Sequence, residues 1–249
     1  MDSKIIIEIC CADIHSVQLA ETYGADAIEL CIDLEHGGLT PSMAMIQKAR
    51  KIFSKEMSVF FRPRNGDFIY DKLEKEIILN DIRHALDCGI ETIVAGGLNQ
   101  DSDLDLDFMK ELIDVSMGIT LSYHRAIDIA KDPIKVLEQL TELQIDRVLS
   151  SGYAANAYDG INNLMKWNKS FGDKIQIMAA GGIDHNNVKE IVEKTGLKRF
   201  HASLRNKVET KNNIMDLGSS ERADEEKIRK LMEAFGKLAV FFGNTPACL

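Results

Sequence analysis

A Glu-x-Cys pattern occurs twice near the start of the sequence, and its thiols have the most specific chemistry in the chain. Glu8 and Cys10 form the first copy, and Glu29 and Cys31 form the second. Thiolates are soft ligands that select Cu(I) or Zn(II). Two thiols suit Cu(I), whereas a closed zinc site needs further ligands such as histidine or carboxylate. The alternative is that both cysteines are small buried apolar residues, the commonest role of a free cysteine.

Two arginines that could hold an anion form a second group. Arg62 and Arg64 stand close together in the sequence, and each guanidinium can donate two hydrogen bonds to one carboxylate or phosphate. They are therefore predicted to clamp an anionic ligand. The alternatives are that Arg64 is exposed and pairs with Asp67, and that Arg62 forms an ion pair with Glu29.

His124 is a candidate general acid or base, because an imidazole changes its charge near neutral pH. We expect the carboxylate of Asp128, a few residues later, to orient the ring. Glu29 is the second candidate for moving protons. A lone histidine is more often a core residue, but a second histidine, His201, ends a later apolar run.

These residues belong to a regular alternation of apolar, β-branched runs and amphipathic stretches. The runs recur roughly every 25 to 30 residues, the spacing of repeated βα units. Strands are predicted at 5–10, 26–31, 57–62, 91–96, 119–124, 146–151, 174–179 and 198–203. Helices are predicted at about 13–23, 41–54, 71–88, 105–116, 133–143, 157–170, 185–194 and 224–241.

Eight strands that alternate with helices can form either a closed barrel or an open, doubly wound sheet. Evenly sized units, the length of 249 residues and the lack of a GxGxxG sequence after the first strand favour the barrel. The predicted fold is therefore α/β, a (β/α)8 TIM barrel, with residues 1–249 as a single domain. The polar stretch at about 205–223 is expected to be a mobile loop after the eighth strand.

Side chains alternate across a strand, so each barrel strand has one face toward the helices and one toward the interior. The isoleucines of the first strand share one face, and the second strand repeats this pattern. Glu8, Cys10, Glu29 and Cys31 are therefore predicted to point inward. Barrel enzymes carry their active residues at the C-terminal ends of the strands. Five candidates stand at such ends: Cys10, Cys31, Arg62, His124 and His201.

A possible phosphate site follows the last two strands. Gly181 and Gly182 follow strand seven, and His201 and Ser203 end strand eight. The loops after strands seven and eight form a recurrent phosphate site in barrels, and glycines let backbone N–H groups approach the anion. These four residues are therefore predicted to bind an anion.

Composition limits the classes of partner. A net charge of −9 argues against a nucleic-acid ligand and against an anionic membrane surface. No apolar run reaches the length of about 18 residues that a membrane span requires. The N-terminus lacks the pattern of a signal peptide, so we expect a cytoplasmic protein with reduced cysteines. A metal ion or a small anionic ligand is the simplest partner.

Several segments, in order along the chain, resemble the CutC family. They are GADAIELC (24–31), GGLTPS (37–42), FRPRNGDFIY (61–70), YHRAID (123–128), RVLSSG (147–152), AAGGI (179–183) and FHASLR (200–205). The resemblance implies a TIM barrel, a cytoplasmic location and a homodimer or larger homo-oligomer. It also implies a role in copper homeostasis through Cu(I) binding, with Cys10 and Cys31 as the ligands. MAAGGI departs from the Pro-Gly-Gly-Gly run common in the family, which weakens the phosphate prediction.

Two functions are consistent with these patterns. The first is a copper homeostasis protein that binds Cu(I) through Cys10 and Cys31 without catalysis. The alternative is an enzyme that acts on a small anionic metabolite, phosphorylated or not, at the C-terminal face of the barrel. In that enzyme Glu29 and His124 would be catalytic, and the arginines and the residues after strands seven and eight would hold the anion.

Overall fold

Eight parallel strands close into a barrel in this computed structural model, which describes residues 4–208 and 220–241. The strands are β1 (Ile6–Cys11), β2 (Ala27–Leu30), β3 (Glu56–Phe60), β4 (Thr92–Val94), β5 (Thr120–Tyr123), β6 (Arg147–Ser150), β7 (Gln176–Ala180) and β8 (Arg199–Ala202). Each strand pairs with the next in the sequence, and β8 pairs with β1. The predicted (β/α)8 TIM barrel is confirmed.

One helix precedes each new strand, and the last helix follows β8. The helices are α1 (Ile14–Thr22), α2 (Met43–Ile52), α3 (Lys72–Leu86), α4 (Leu106–Ser116), α5 (Pro133–Glu142), α6 (Ile161–Phe171), α7 (Val188–Thr195) and α8 (Glu225–Phe241). Local sequence sets their starts: Asp13 caps α1, and Asp71 and Glu74 form a capping box on α3. Within 4–208 and 220–241, no helix is both long enough and apolar enough to cross a membrane.

The predicted mobile loop at 205–223 was wrong at both of its ends. Residues Arg205–Val208 form β9 and Ser220–Ala223 form β10, and these two strands pair antiparallel. An ion pair of 2.6 Å joins Arg205 to Glu221 across the pair. The strands carry charged and polar side chains instead of apolar alternation, so the sequence resembles a loop. The middle of the predicted loop, 209–219, lies outside the described residues, as do 1–3 and 242–249, so the single-domain extent 1–249 stays a prediction.

The alternation of the strand residues separates two apolar groups. Ile9 and Leu30 belong to the large core between the barrel and its helices. Cys10 and Cys31 pack instead with Phe60 and Val94 in a small cluster of their own. The interior direction predicted for the two thiols is therefore confirmed, and it places them toward the C-terminal end of the barrel.

Candidate functional site

A cavity of about 180 Å³ opens at the C-terminal mouth of the barrel. Its lining brings eight of the ten predicted site residues together: Cys10, Glu29, Cys31, His124, Gly181, Gly182, His201 and Ser203. The other two, Arg62 and Arg64, are not part of the lining. The cavity therefore joins the thiols of the first two strands to the loops that follow β5, β7 and β8.

The two thiols lie in contact at one end of this cavity. The Sγ atoms of Cys10 and Cys31 are 3.6 Å apart, and Oε2 of Glu29 is 3.6 Å from the Cys10 sulfur. The hydrogen bond with Cys31, followed by burial, raises the pKa of Cys10 well above its usual value. The bond to Cys10 lowers the pKa of Cys31, but burial and the Glu29 charge outweigh it and raise that pKa. Both cysteines therefore hold their protons at neutral pH in the absence of a ligand.

An ion-paired carboxylate and imidazole lie beneath the thiols. Oε1 of Glu8 is 2.9 Å from Nδ1 of His201, and Oε2 of Glu8 accepts a 3.0 Å hydrogen bond from Ser58. Burial would raise the pKa of Glu8, but the bond and charge of His201 and the charge of Arg199 lower it to about 2. Burial would also lower the pKa of His201, yet nearby Glu29, Cys10 and Glu8 raise it. The pair is therefore carboxylate and imidazolium.

Glu29 is a group of the cavity whose pKa lies close to neutral pH. Burial, opposed by the charge of His201, raises its pKa to about 7. Its Oε2 lies 3.7 Å from Nε2 of His201, while its Oε1 has no hydrogen-bond partner among the described residues. The donor atoms of Cys10, Glu29 and Cys31 all lie within 4.8 Å of one another, a spacing that could hold one metal ion.

Arg62 is buried outside the cavity and holds loops together. Its guanidinium donates to the carbonyl oxygens of His36 and Gly38 at 3.0 and 3.1 Å and to that of Gly66. It also lies 4.7 Å from the centroid of the Phe68 ring. The alternative of an Arg62–Glu29 ion pair is wrong, because both terminal nitrogens of the guanidinium donate to these loop carbonyls.

Arg64 also lies outside the cavity lining. It forms ion pairs with Glu74 and, at 3.1 Å, with Asp67. The pairing with Asp67, which the sequence offered as the alternative to an anion clamp, is therefore confirmed. The predicted anion clamp of Arg62 and Arg64 is therefore not formed at the mouth, because local loop contacts take both guanidinium groups.

His124 lines the cavity but is poorly suited to proton transfer near neutral pH. Burial, reinforced by the charge of Arg62, lowers its pKa to about 3. Its Nδ1 accepts a 3.2 Å hydrogen bond from the backbone N–H of Ala126, and its ring lies 4.3 Å from that of Phe68. The predicted orientation by Asp128 is wrong, because backbone and aromatic contacts fix the imidazole instead.

Asp128 instead positions Arg125, a residue for which the sequence predicted no role. Its Oδ2 accepts a 2.8 Å bond from Nε of Arg125, and the same carboxylate accepts from the backbone N–H and the hydroxyl of Ser151. Arg125 and Ser151 are themselves joined by a 2.8 Å bond. Arg125 lines the cavity. The i, i+3 spacing of Arg125 and Asp128 after β5 is the signal that could have identified this pair.

A second set of ion pairs lies at the opposite end of the barrel interior. Glu56, at the first position of β3, lies 2.6 Å from Arg199 and 3.1 Å from Arg147. Glu56 and Arg147 were not predicted from the sequence, although Glu56 shares the inward face of β3 with Ser58. Because this end of a barrel serves stability, we assign these pairs to the scaffold.

Sequence comparisons relate the chain to one family over most of its length. The family profile described as "CutC family" matches residues 5–206. A family protein CutC from Glaesserella parasuis serovar 5 is 38% identical over 239 residues, which cover 91% of this chain and 97% of that protein. A family protein CutC from Aliivibrio fischeri is 40% identical over 204 residues, covering 80% of this chain and 82% of that one.

Solved structures agree with this relationship. A candidate copper homeostasis protein CutC from Streptococcus agalactiae superposes with a TM-score of 0.75 at 28% identity, covering 79% of this chain and 97% of that chain. A phosphoribosylanthranilate isomerase from Thermotoga maritima superposes with a TM-score of 0.58 at 9% identity, covering 94% of this chain and 99% of that chain. The second similarity is one of fold alone.

Proposed function

This chain belongs to the CutC family, and from that membership we propose that it serves copper homeostasis by binding Cu(I) through Cys10 and Cys31. The Streptococcus agalactiae relative is described as a candidate copper homeostasis protein. The observation that carries the proposal is the contact of the two sulfurs, 3.6 Å apart, in the lining of the mouth cavity.

The donor set fits Cu(I) better than zinc. Metal–thiolate bonds are about 2.3 Å long, so sulfurs at this separation can both reach one ion. Soft thiolates favour Cu(I), whereas a structural zinc ion takes four ligands in tetrahedral geometry. The described residues offer Cys10, Cys31 and, as a third donor, the carboxylate of Glu29.

The charges around the thiols suit a site that exchanges protons for a metal ion. Both thiols hold protons in the absence of a ligand, because their pKa values are raised. Metal binding to thiolates releases those protons. Glu29, whose pKa is about 7, stands 3.6 Å from the Cys10 sulfur and can accept one of them near neutral pH.

The test is a Cu(I) competition titration with a chromogenic chelator under anaerobic, reducing conditions. We expect the wild-type chain to bind about one Cu(I) per chain and the Cys10→Ser and Cys31→Ser variants to lose this binding. Cys88→Ser is the matched control, since Cys88 is a free thiol just after α3, outside the cavity lining. A Cys10→Ser/Cys31→Ser double variant that still bound one Cu(I) would rule the thiol site out.

The enzyme alternative keeps one observation in its favour. Glu29 has a pKa of about 7 in a cavity at the active end of the fold, where a general base is effective. His124, with a pKa of about 3, does not serve as its acid partner near neutral pH.

The cytoplasmic location and the homo-oligomeric state also remain proposals, and size-exclusion chromatography with light scattering tests the second.

A further inference from the structure

We propose that the part of the mouth cavity lined by the loops after β5, β7 and β8 is a binding site for the dianion of a phosphate or phosphomonoester. The site consists of the Arg125 guanidinium and the backbone N–H groups of Gly181, Gly182 and Ser203. All four residues line the cavity. None of these four residues is a proposed copper ligand, and the ligand has the opposite charge.

Arg125 is held in one orientation by two of its three guanidinium nitrogens, and the third nitrogen is unpaired among the described residues. Its Nε donates to Asp128 at 2.8 Å and one terminal nitrogen, Nη2, donates to Ser151 at 2.8 Å. Asp128 is itself buried and fixed by Ser150 and by backbone N–H groups, so the base of this arrangement is rigid. The other terminal nitrogen, Nη1, makes no hydrogen bond or ion pair with a described residue.

The free nitrogen of Arg125 lies directly over the glycine loop. A Cβ atom placed on Gly181 would be 3.2 Å from Nη1 of Arg125. Gly181 and Gly182 have φ values of +95° and +68°, a left-handed conformation that favours glycine. The backbone conformation and the lack of a side chain both keep this surface open to a ligand beside the guanidinium.

Unpaired backbone donors complete the site. In the described part of the chain, the N–H groups of Gly181, Gly182 and Ser203 donate to no protein acceptor. Their carbonyl groups are not free in the same way, since Gly181 accepts from Ala157 and Gly182 accepts from Asn187. The loops therefore carry unpaired donors at three residues of the cavity lining. A tetrahedral dianion with several acceptor oxygens matches a guanidinium and several unpaired N–H groups better than a cation or a neutral sugar does.

The fold supports this chemistry independently of the family. The loops after β7 and β8 are the recurrent phosphate site of (β/α)8 barrels, and Gly181, Gly182 and Ser203 belong to those loops. Arg125 takes the role that the sequence predicts for Arg62 and Arg64. The site therefore retains the predicted glycines and serine and replaces the predicted arginines.

The experiment is calorimetric titration of the full chain, without copper, with three probes: inorganic phosphate, glycerol phosphate and glycerol. We expect saturable binding of both phosphates and none of glycerol. Glycerol phosphate that binds more tightly than phosphate identifies an ester as the ligand class, and equal affinities identify phosphate itself. If neither phosphate binds saturably, the proposal is overturned.

Variants locate the binding. Arg125→Gln should weaken phosphate binding at least about tenfold, the effect of losing one hydrogen bond to a charged group. Arg125→Lys keeps the charge without the fork and should bind with intermediate affinity. Arg83→Gln, an exposed arginine on α3, is the matched control and should bind as the wild type does. Circular dichroism checks that each variant is folded. Wild-type affinity in both Arg125 variants would overturn the assignment.

Discussion

Replacing Glu29 by glutamine should stabilise the protein at alkaline pH, even though Glu29 lines the candidate site. The side chain is buried, and its Oε1 has no hydrogen-bond partner among the described residues. Burial raises its pKa from 4.5 to about 7. A raised pKa means that the folded state favours the protonated carboxyl. Stability is therefore fully present below pH 4.5 and is lost as the pH rises through about 7.

The size of the effect follows from the separation between the folded and unfolded pKa values. Each pKa unit corresponds to about 1.36 kcal/mol, so ionised Glu29 costs the fold about 3 kcal/mol above pH 7. The attraction of protonated His201 is already contained in that pKa. Glutamine resembles the protonated carboxyl and does not titrate, so Glu29→Gln removes the cost.

The assay is urea unfolding followed by far-UV circular dichroism at pH 5 and pH 8.5. The wild type and Glu29→Gln should agree within about 1 kcal/mol at pH 5, and the variant should be more stable by about 2–3 kcal/mol at pH 8.5. Glu138→Gln, an exposed glutamate on α5, is the control and should follow the wild type at both values. If the free energies of unfolding of wild type and Glu29→Gln differ by the same amount at both pH values, the argument from burial is refuted.

Two further substitutions test the interior. Glu8→Gln removes the buried carboxylate that is bonded to Nδ1 of protonated His201, and urea unfolding should show a loss of about 3 kcal/mol or more at neutral pH. Because the pKa of Glu8 is lowered, its contribution is present above pH 4.5 and lost as the pH falls through about 2; the difference between wild type and Glu8→Gln should shrink over that range. Gly96→Ala would place a Cβ atom 2.3 Å from the buried ring of Tyr123. It should destabilise the protein by about 2–3 kcal/mol more than Gly118→Ala, which meets open space, as measured by urea unfolding.

The sequence predicted the architecture because it contains two clear periodicities, the recurrence of βα units and the alternation of side chains along each strand. Apolar runs and amphipathic stretches alternate with nearly equal spacing, and each predicted strand overlaps an observed one. The direction of the strand side chains was predictable for the same reason. Successive side chains point to opposite faces of a strand. Since the apolar neighbours Ile9 and Leu30 pack under the helices, Cys10 and Cys31 must face the interior.

The predictions failed where loops, not strands, decide the contacts. Alternation assigns Arg62 to the inward face of strand three. Its guanidinium instead donates to the carbonyl oxygens of Gly38 and Gly66, which belong to two nearby loops. Likewise, Asp128 was paired with His124 because of its spacing. The 3-10 helix Arg125–Ile129 turns this carboxylate toward Arg125 and the end of β6 instead. Such contacts depend on the path of the backbone between elements, which no periodicity encodes.

The order of polar groups along the barrel interior explains why the thiols, and not the deeper charges, are the candidate metal ligands. At the lower end Glu56 is paired with arginines, and in the middle Glu8 is paired with His201 and bonded to Ser58. At the mouth the pairing is incomplete: Oε1 of Glu29 has no hydrogen-bond partner among the described residues, and the carboxylate lies beside two protonated thiols. A buried carboxylate that lacks a bond destabilises the fold. A cation bound by the sulfurs and Glu29 would remove that deficit, whereas the same cation lower in the barrel would have to break ion pairs that already exist.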